Sequence, residues 1–96
     1  MLTPKQRAFL KGKANTIKNR FLVGKNGVDE SFIGSIDTAL EAHELIKVGL
    51  LPTAEESAKE AAEKIARATK ADVVQVIGKV AVLYRPSKKN KRIQLP

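Results

Sequence analysis

Four residues, Gly24-Lys25-Asn26-Gly27, carry the most informative local chemistry of this chain. They follow a short apolar run, Arg20-Phe21-Leu22-Val23, and precede Asp29, a residue type that caps helices. Where a strand ends and a helix begins, unpaired backbone N–H groups and the positive end of the helix dipole meet any nearby anion. Two glycines let the main chain approach a phosphate closely, and Lys25 adds charge at the tip. The same spacing also makes an ordinary turn. No Gly-Lys-Ser/Thr follows at the spacing of a nucleotide-binding P-loop. The chemistry on offer is anion binding.

A second group is basic. Arg7, Lys11 and Lys18 cluster on one helical flank, Lys13 and Arg20 lie in the same stretch, and no acid precedes Asp29. Scattered lysines usually make a solvated face, but an acid-free cluster suits a surface that tracks phosphates. His43 is the only histidine and falls on an apolar helix face, so a packed core role is expected. No second histidine accompanies His43-Glu44, and no cysteine is present, so no zinc or nucleophile–base set can be composed. Neither catalysis nor a metal nor a cofactor is expected. Tyr84 and Phe21 are the aromatics best placed to reach a sheet surface. With aromatics at 4%, base stacking is not expected to dominate, and packing roles suit both.

The elements that position these residues follow from capping and periodicity. Thr3-Pro4-Lys5-Gln6 starts a helix with a capping box, and Leu10, Ala14 and Ile17 share its apolar face to an end near Asn15. A strand at 20–23 leads through the glycine loop to a second helix capped by Asp29. Its inner face is Phe32, Ile33, Ile36, Ala39, Leu40 and His43, and its outer face Glu30, Asp37 and Glu41. A second strand, 45–51, precedes a third helix opened by Pro52 and a Thr53–Glu56 capping box. Its inner face is Ala58, Ala61, Ala62, Ile65 and Ala68, with Glu56, Glu60 and Glu63 outward. Strands at 73–77 and 80–84 join through Gly78-Lys79, which fits a type II′ hairpin. Pro86 closes the last strand, and a basic tail runs from about 87. The order α-β-α-β-α-β-β, with right-handed crossovers, predicts an α/β two-layer sandwich with helices two and three on one face of a four-stranded mixed sheet.

Charge is strongly segregated. Residues 1–28 carry +7, residues 29–72 carry −5 with all ten acids, and residues 73–96 carry +6. A polyanion-binding face opposite an acidic back explains that pattern. With 96 residues, one domain is expected over 1–96. No apolar run reaches the ~20 residues of a membrane span, and the N-terminus lacks a signal-peptide pattern. A cytoplasmic location follows as an expectation.

Four ordered blocks then point to a family: Lys11-Gly12-Lys13-Ala14, Val23-Gly24-Lys25-Asn26-Gly27, Ala39 to Val48, and Val74 to Lys79, with Leu83-Tyr84-Arg85-Pro86 fitting as well. Over about Leu2 to Arg92 the chain resembles the CRM domain (chloroplast RNA splicing and ribosome maturation), particularly its bacterial single-domain, YhbY-like members. The resemblance implies a fold like the C-terminal domain of bacterial initiation factor three with an extra N-terminal helix. It further implies a sheet order of 1-2-4-3 with the fourth strand antiparallel. It implies RNA binding through the Gly-x-x-Gly loop and adjoining basic surface, and, for bacterial members, association with large-subunit ribosomal precursors.

The expectation is therefore an RNA-binding module without enzymatic activity, a monomer with no membrane or small-molecule partner. Its expected target is ribosomal RNA during large-subunit assembly. Its expected contacts are Gly24, Lys25, Asn26, Gly27, Arg7, Lys11, Lys13, Lys18 and Arg20. The alternatives are a structural ribosomal protein retained in the mature particle and an RNA-modifying enzyme.

Overall fold

Thr3 and Gln6 exchange side-chain-to-backbone hydrogen bonds at the start of the first helix, and Pro4 occupies its first turn. That helix, α1, spans Pro4–Ala14 in the computed structural model, which describes residues 2–18 and 20–96. The elements that follow are β1 (Phe21–Val23), α2 (Glu30–His43), β2 (Leu45–Leu50), α3 (Ala58–Thr69), β3 (Asp72–Ile77) and β4 (Val80–Tyr84). Their order is the one the sequence predicts.

The strands form one sheet in the order β1-β2-β4-β3, with β1 parallel to β2 and β4 antiparallel to both its neighbours. Alternation along β2 sends Ile46, Val48 and Leu50 to one face and Leu45 to the other. On the first face, α2 and α3 bury Ile36, Leu40 and Ile65 against Val23, Val48 and Leu83. This is the expected two-layer unit. The additional helix, α1, covers the opposite face, where Leu10 and Ala14 meet Leu45, Val74, Val82 and Tyr84. Tyr84 is thus a packing residue, as its rarity suggested. Gly78 has φ of +56° at the β3–β4 turn, as a II′ hairpin needs of its first residue.

Expectations fail in both helices of this layer, and in the third Ala68, expected inward, is exposed while Thr69 is buried. The third helix starts at Ala58, not near Thr53: Ser57 is its cap and Glu60 completes the capping box. The reason is upstream. Leu51 N–H still extends the sheet by donating to Val23, and Ala54 N–H closes a turn onto Leu51, so residues 51–56 are used in reversing the chain. Glu56, freed from a capping role, turns toward the glycine loop instead of outward. His43 is the correction in α2. It is exposed, because α2 ends with it and Glu44 takes a positive φ of 66° that swings the next side chain inward.

Glu44 is fully buried, and its carboxylate accepts the backbone N–H groups of Ser87, Arg92 and Ile93. Burial alone would raise its pKa, but these N–H donors and the Arg92 charge outweigh that and hold it below the ordinary value. Glu41 accepts from the Ser87 hydroxyl and from the Lys88 and Lys89 amides, which lower its pKa to about 2. The tail is therefore docked along α2. Its Ile93 and Leu95 join the α1-side core. Arg85 adds a clamp, donating to Asp37 on α2 and to the Thr69 carbonyl at the end of α3. Asp29, Asp37, Glu41, Glu44, Glu56 and Glu60 all engage internal donors or cations. The acidic middle of the chain is thus used largely to fasten the fold, where the charge pattern suggested a plain acidic back.

Candidate functional site

Gly24–Gly27 projects from the carboxyl end of β1 as an exposed turn closed by Gly27 N–H donating to the Gly24 carbonyl at 3.0 Å. Gly27 has φ of +68°, a conformation that costs an L-residue roughly 1–2 kcal/mol. A Cβ there would also stand 2.7 Å from Glu56 Oε1. That oxygen accepts the Val28 N–H at 2.9 Å, while Lys64 Nζ lies 2.6 Å from Oε2. The Lys64 ammonium, then the Val28 amide, hold the Glu56 carboxyl below its ordinary pKa. Glu56 thus braces the loop from behind through the residue that follows it.

The two glycines have different reasons to be glycine. Gly24 has no positive φ, and a Cβ on it would make only ordinary contacts, 3.5 Å to Leu51 Cδ1 and 3.9 Å to Thr53 Oγ1. The fold requires Gly27, whereas it leaves room for a side chain at Gly24. Among the described residues, the Lys25 and Asn26 amides have no acceptor, and both side chains are exposed. The loop, with Leu22, Asp29, Ser31, Phe32 and Ser35, lines an open groove of about 330 Å³.

One electrostatic expectation changes. The start of α2 is already satisfied in part, because the Asp29 carboxylate accepts from the Phe32 N–H at 2.8 Å and Glu30 adds a second negative charge. The helix dipole is partly neutralised there. The donors left without an acceptor at this end of the loop are the Lys25 and Asn26 amides.

The remaining expected residues separate into distinct places. Arg20 and Leu22 lie over Gly49 on the α1 side of the sheet, a Cβ on Gly49 being 2.9 Å from Arg20 Cδ. Leu22 is half exposed beside them. Lys11 is exposed on α1. Arg7 is only partly exposed, and its guanidinium donates to the Val73 and Val74 carbonyls. Those carbonyls flank a bulge, where Gln75 rather than Val74 pairs with Val82. Arg7 thereby ties α1 to the sheet. Lys13 and Lys18 line a cavity at the other end of β1, together with His43.

Two contributors were missed by reading the sequence. Lys79 sits at the loop's end of the sheet, since its carbonyl accepts from Leu50 where β2 ends. Glu56 was legible only as a misplaced cap; the competing box Ser57–Glu60 was the signal that released it. Among the described residues, no three His, Cys, Asp or Glu converge as metal ligands, and no helix is long and apolar enough to cross a membrane.

Comparison with known proteins bears on this arrangement. The family model described as CRS1 / YhbY (CRM) domain matches residues 2–85. A Bacillus subtilis protein named "Probable RNA-binding protein YqeI" is 47% identical over 96 residues, covering 100% of both chains. A Haemophilus influenzae protein named "RNA-binding protein" is 44% identical, covering 99% of this chain and 95% of its own. The solution structure of a hypothetical Staphylococcus aureus protein superposes with a TM-score of 0.81 at 47% identity, over 100% of each chain.

Proposed function

Because the chain belongs to the CRS1/YhbY (CRM) domain family, we propose that it binds RNA and acts on ribosomal RNA of large-subunit precursors without catalysing a reaction. The observation that carries this reading is the loop tip. Two acceptor-free amides and Lys25 stand exposed on a turn that Glu56 holds from behind, in a chain whose relatives are named for RNA binding. Backbone N–H groups held in place before the ligand arrives suit a phosphate oxygen. Lys79 at the loop's end of the sheet and Arg20, which enters β1 with its side chain over Gly49, extend the positive surface, and Lys11, Lys13 and Lys18 continue it along α1 and the chain after it. The target within the ribosome is the one implied by the family resemblance.

The test compares Lys25→Glu with Lys59→Glu. Lys59 lines a groove with Val73 and Val76 of β3, the sheet edge opposite β1, so it makes the same change in net charge elsewhere. Affinity for a structured ribosomal RNA fragment should fall roughly tenfold or more for Lys25→Glu, by about the value of a charge-assisted contact. Equal losses in the two variants would show that only overall charge matters. Crosslinking in cells followed by sequencing should recover large-subunit ribosomal RNA from precursor particles. Recovery from polysomes instead would identify a protein retained in the mature ribosome.

A further inference from the structure

A cavity of about 490 Å³ opens where the end of α1, the start of β1, the end of α2 and the tail converge. Its size falls within the range of small-ligand sites. Lys13, Lys18 and His43 supply its cationic or proton-bearing groups, and Phe21, Ile17 and Ile46 much of its apolar wall. No acid lines it among the described residues. The nearest candidate by sequence, Glu44, is buried beneath the tail and engaged there with Ser87, Arg92 and Ile93. Lys47, another nearby cation, is already committed to the Ile17 carbonyl at 3.0 Å. One wall is Ile93, whose amide is held by Glu44, so the docked tail helps complete the cavity.

A half-apolar, half-cationic cavity of this size matches a group that is flat and apolar at one end and anionic at the other. We infer that it receives one unstacked nucleotide of a bound RNA, with the base against Phe21 and the aliphatic wall and the phosphate toward Lys13, Lys18 and His43. The assignment rests on the RNA-binding reading above and adds a second contact to it. Phe21 lines the cavity while Leu22 and Gly24 line the loop groove. Gly24 is three positions on from Phe21, about 10 Å at the rise of an extended chain, so one RNA strand reaches both sites. Phosphate contacts at the loop would then position the strand, and the cavity would discriminate an unpaired base from a stacked one.

The test is an NMR titration of the isotopically labelled full chain with the four nucleoside 5′-monophosphates, the matching nucleosides and inorganic phosphate. At least one mononucleotide should saturably shift the His43 ring and the signals of Thr16, Phe21 and Ile46. Its nucleoside and inorganic phosphate should each bind at least about tenfold more weakly, as expected if each lacks one of the two contacts. His43→Glu, an exposed change at a helix end, should weaken the mononucleotide about tenfold while a short single-stranded RNA still shifts the Gly24–Gly27 amides. Phosphate alone binding as well as the nucleotide overturns the assignment, and so does an unchanged affinity in His43→Glu. A silent cavity alongside shifting loop amides also overturns it and leaves RNA binding by the loop intact. A responding cavity with silent loop amides supports this site and defeats the loop contact.

Discussion

Gly24→Ala and Gly27→Ala separate what the loop needs to fold from what it needs to bind. At Gly27 the structure dictates a cost. The left-handed φ accounts for roughly 1–2 kcal/mol, and a Cβ 2.7 Å from Glu56 Oε1 must displace the carboxylate that holds Val28. Losing that charged hydrogen bond adds about 1.5–3 kcal/mol, so the variant should be destabilised by roughly 2.5–5 kcal/mol in all. At Gly24 the new methyl meets nothing closer than 3.5 Å and the backbone conformation is ordinary. Stability there should stay within about 0.5 kcal/mol, or rise slightly because alanine narrows the unfolded ensemble. If RNA presses its phosphate against the main chain at Gly24, that same methyl intrudes on the ligand, and affinity should fall roughly tenfold or more, about 1.4 kcal/mol. Urea denaturation and RNA binding at one salt concentration measure both quantities. Wild-type affinity in a well-folded Gly24→Ala would refute close backbone approach at that residue. Unchanged stability in Gly27→Ala would refute the brace.

Further tests address caps, pH and salt. Ser57→Ala should cost about 0.5–2 kcal/mol in a denaturant melt, whereas Thr53→Ala, outside the helix, should stay within about 0.5 kcal/mol. Because folding lowers the pKa of Glu41 to about 2 and also depresses that of Glu44, tail docking is complete above the ordinary carboxylate value of 4.5. It should weaken as pH falls from there toward about 2, seen as accelerated exchange of the Ser87 to Ile93 amides relative to the sheet; uniform behaviour of tail and sheet would contradict the clamp. Neutralising about four to six phosphates predicts a slope of log affinity on log salt near −3 to −5, and a flat dependence would remove the electrostatic account.

The elements were legible because local chemistry specified them. Thr3–Gln6, Asp29 and Gly78-Lys79 each place a boundary through neighbours within a few residues. The start of α3 was harder, since Thr53–Glu56 and Ser57–Glu60 are both valid boxes four residues apart. The choice between them is made by Leu51 pairing with Val23, a contact between strands. His43 and Glu44 show a similar limit. Helical periodicity places His43 inward, but the turn at Glu44 buries its carboxylate instead, and the donors that make this tolerable come from more than forty residues downstream. Within the candidate site, the glycine loop could be read from its spacing. Arg7 could not, because the bulge whose carbonyls it satisfies exists only in the paired sheet.

The clamp on the tail grips main chain almost exclusively: of the groups donating to Glu41 and Glu44, only the Ser87 hydroxyl belongs to a side chain. Attachment and surface chemistry are thereby uncoupled. Residues at 88 and 89 can be exchanged for others of any size or charge and still present the amide that Glu41 holds, proline being barred because it lacks one, whereas at 92 the arginine charge also helps keep Glu44 ionised. The path of this segment is fixed while the charges displayed along it stay open to selection, so related chains can retune this edge of the molecule without rebuilding it.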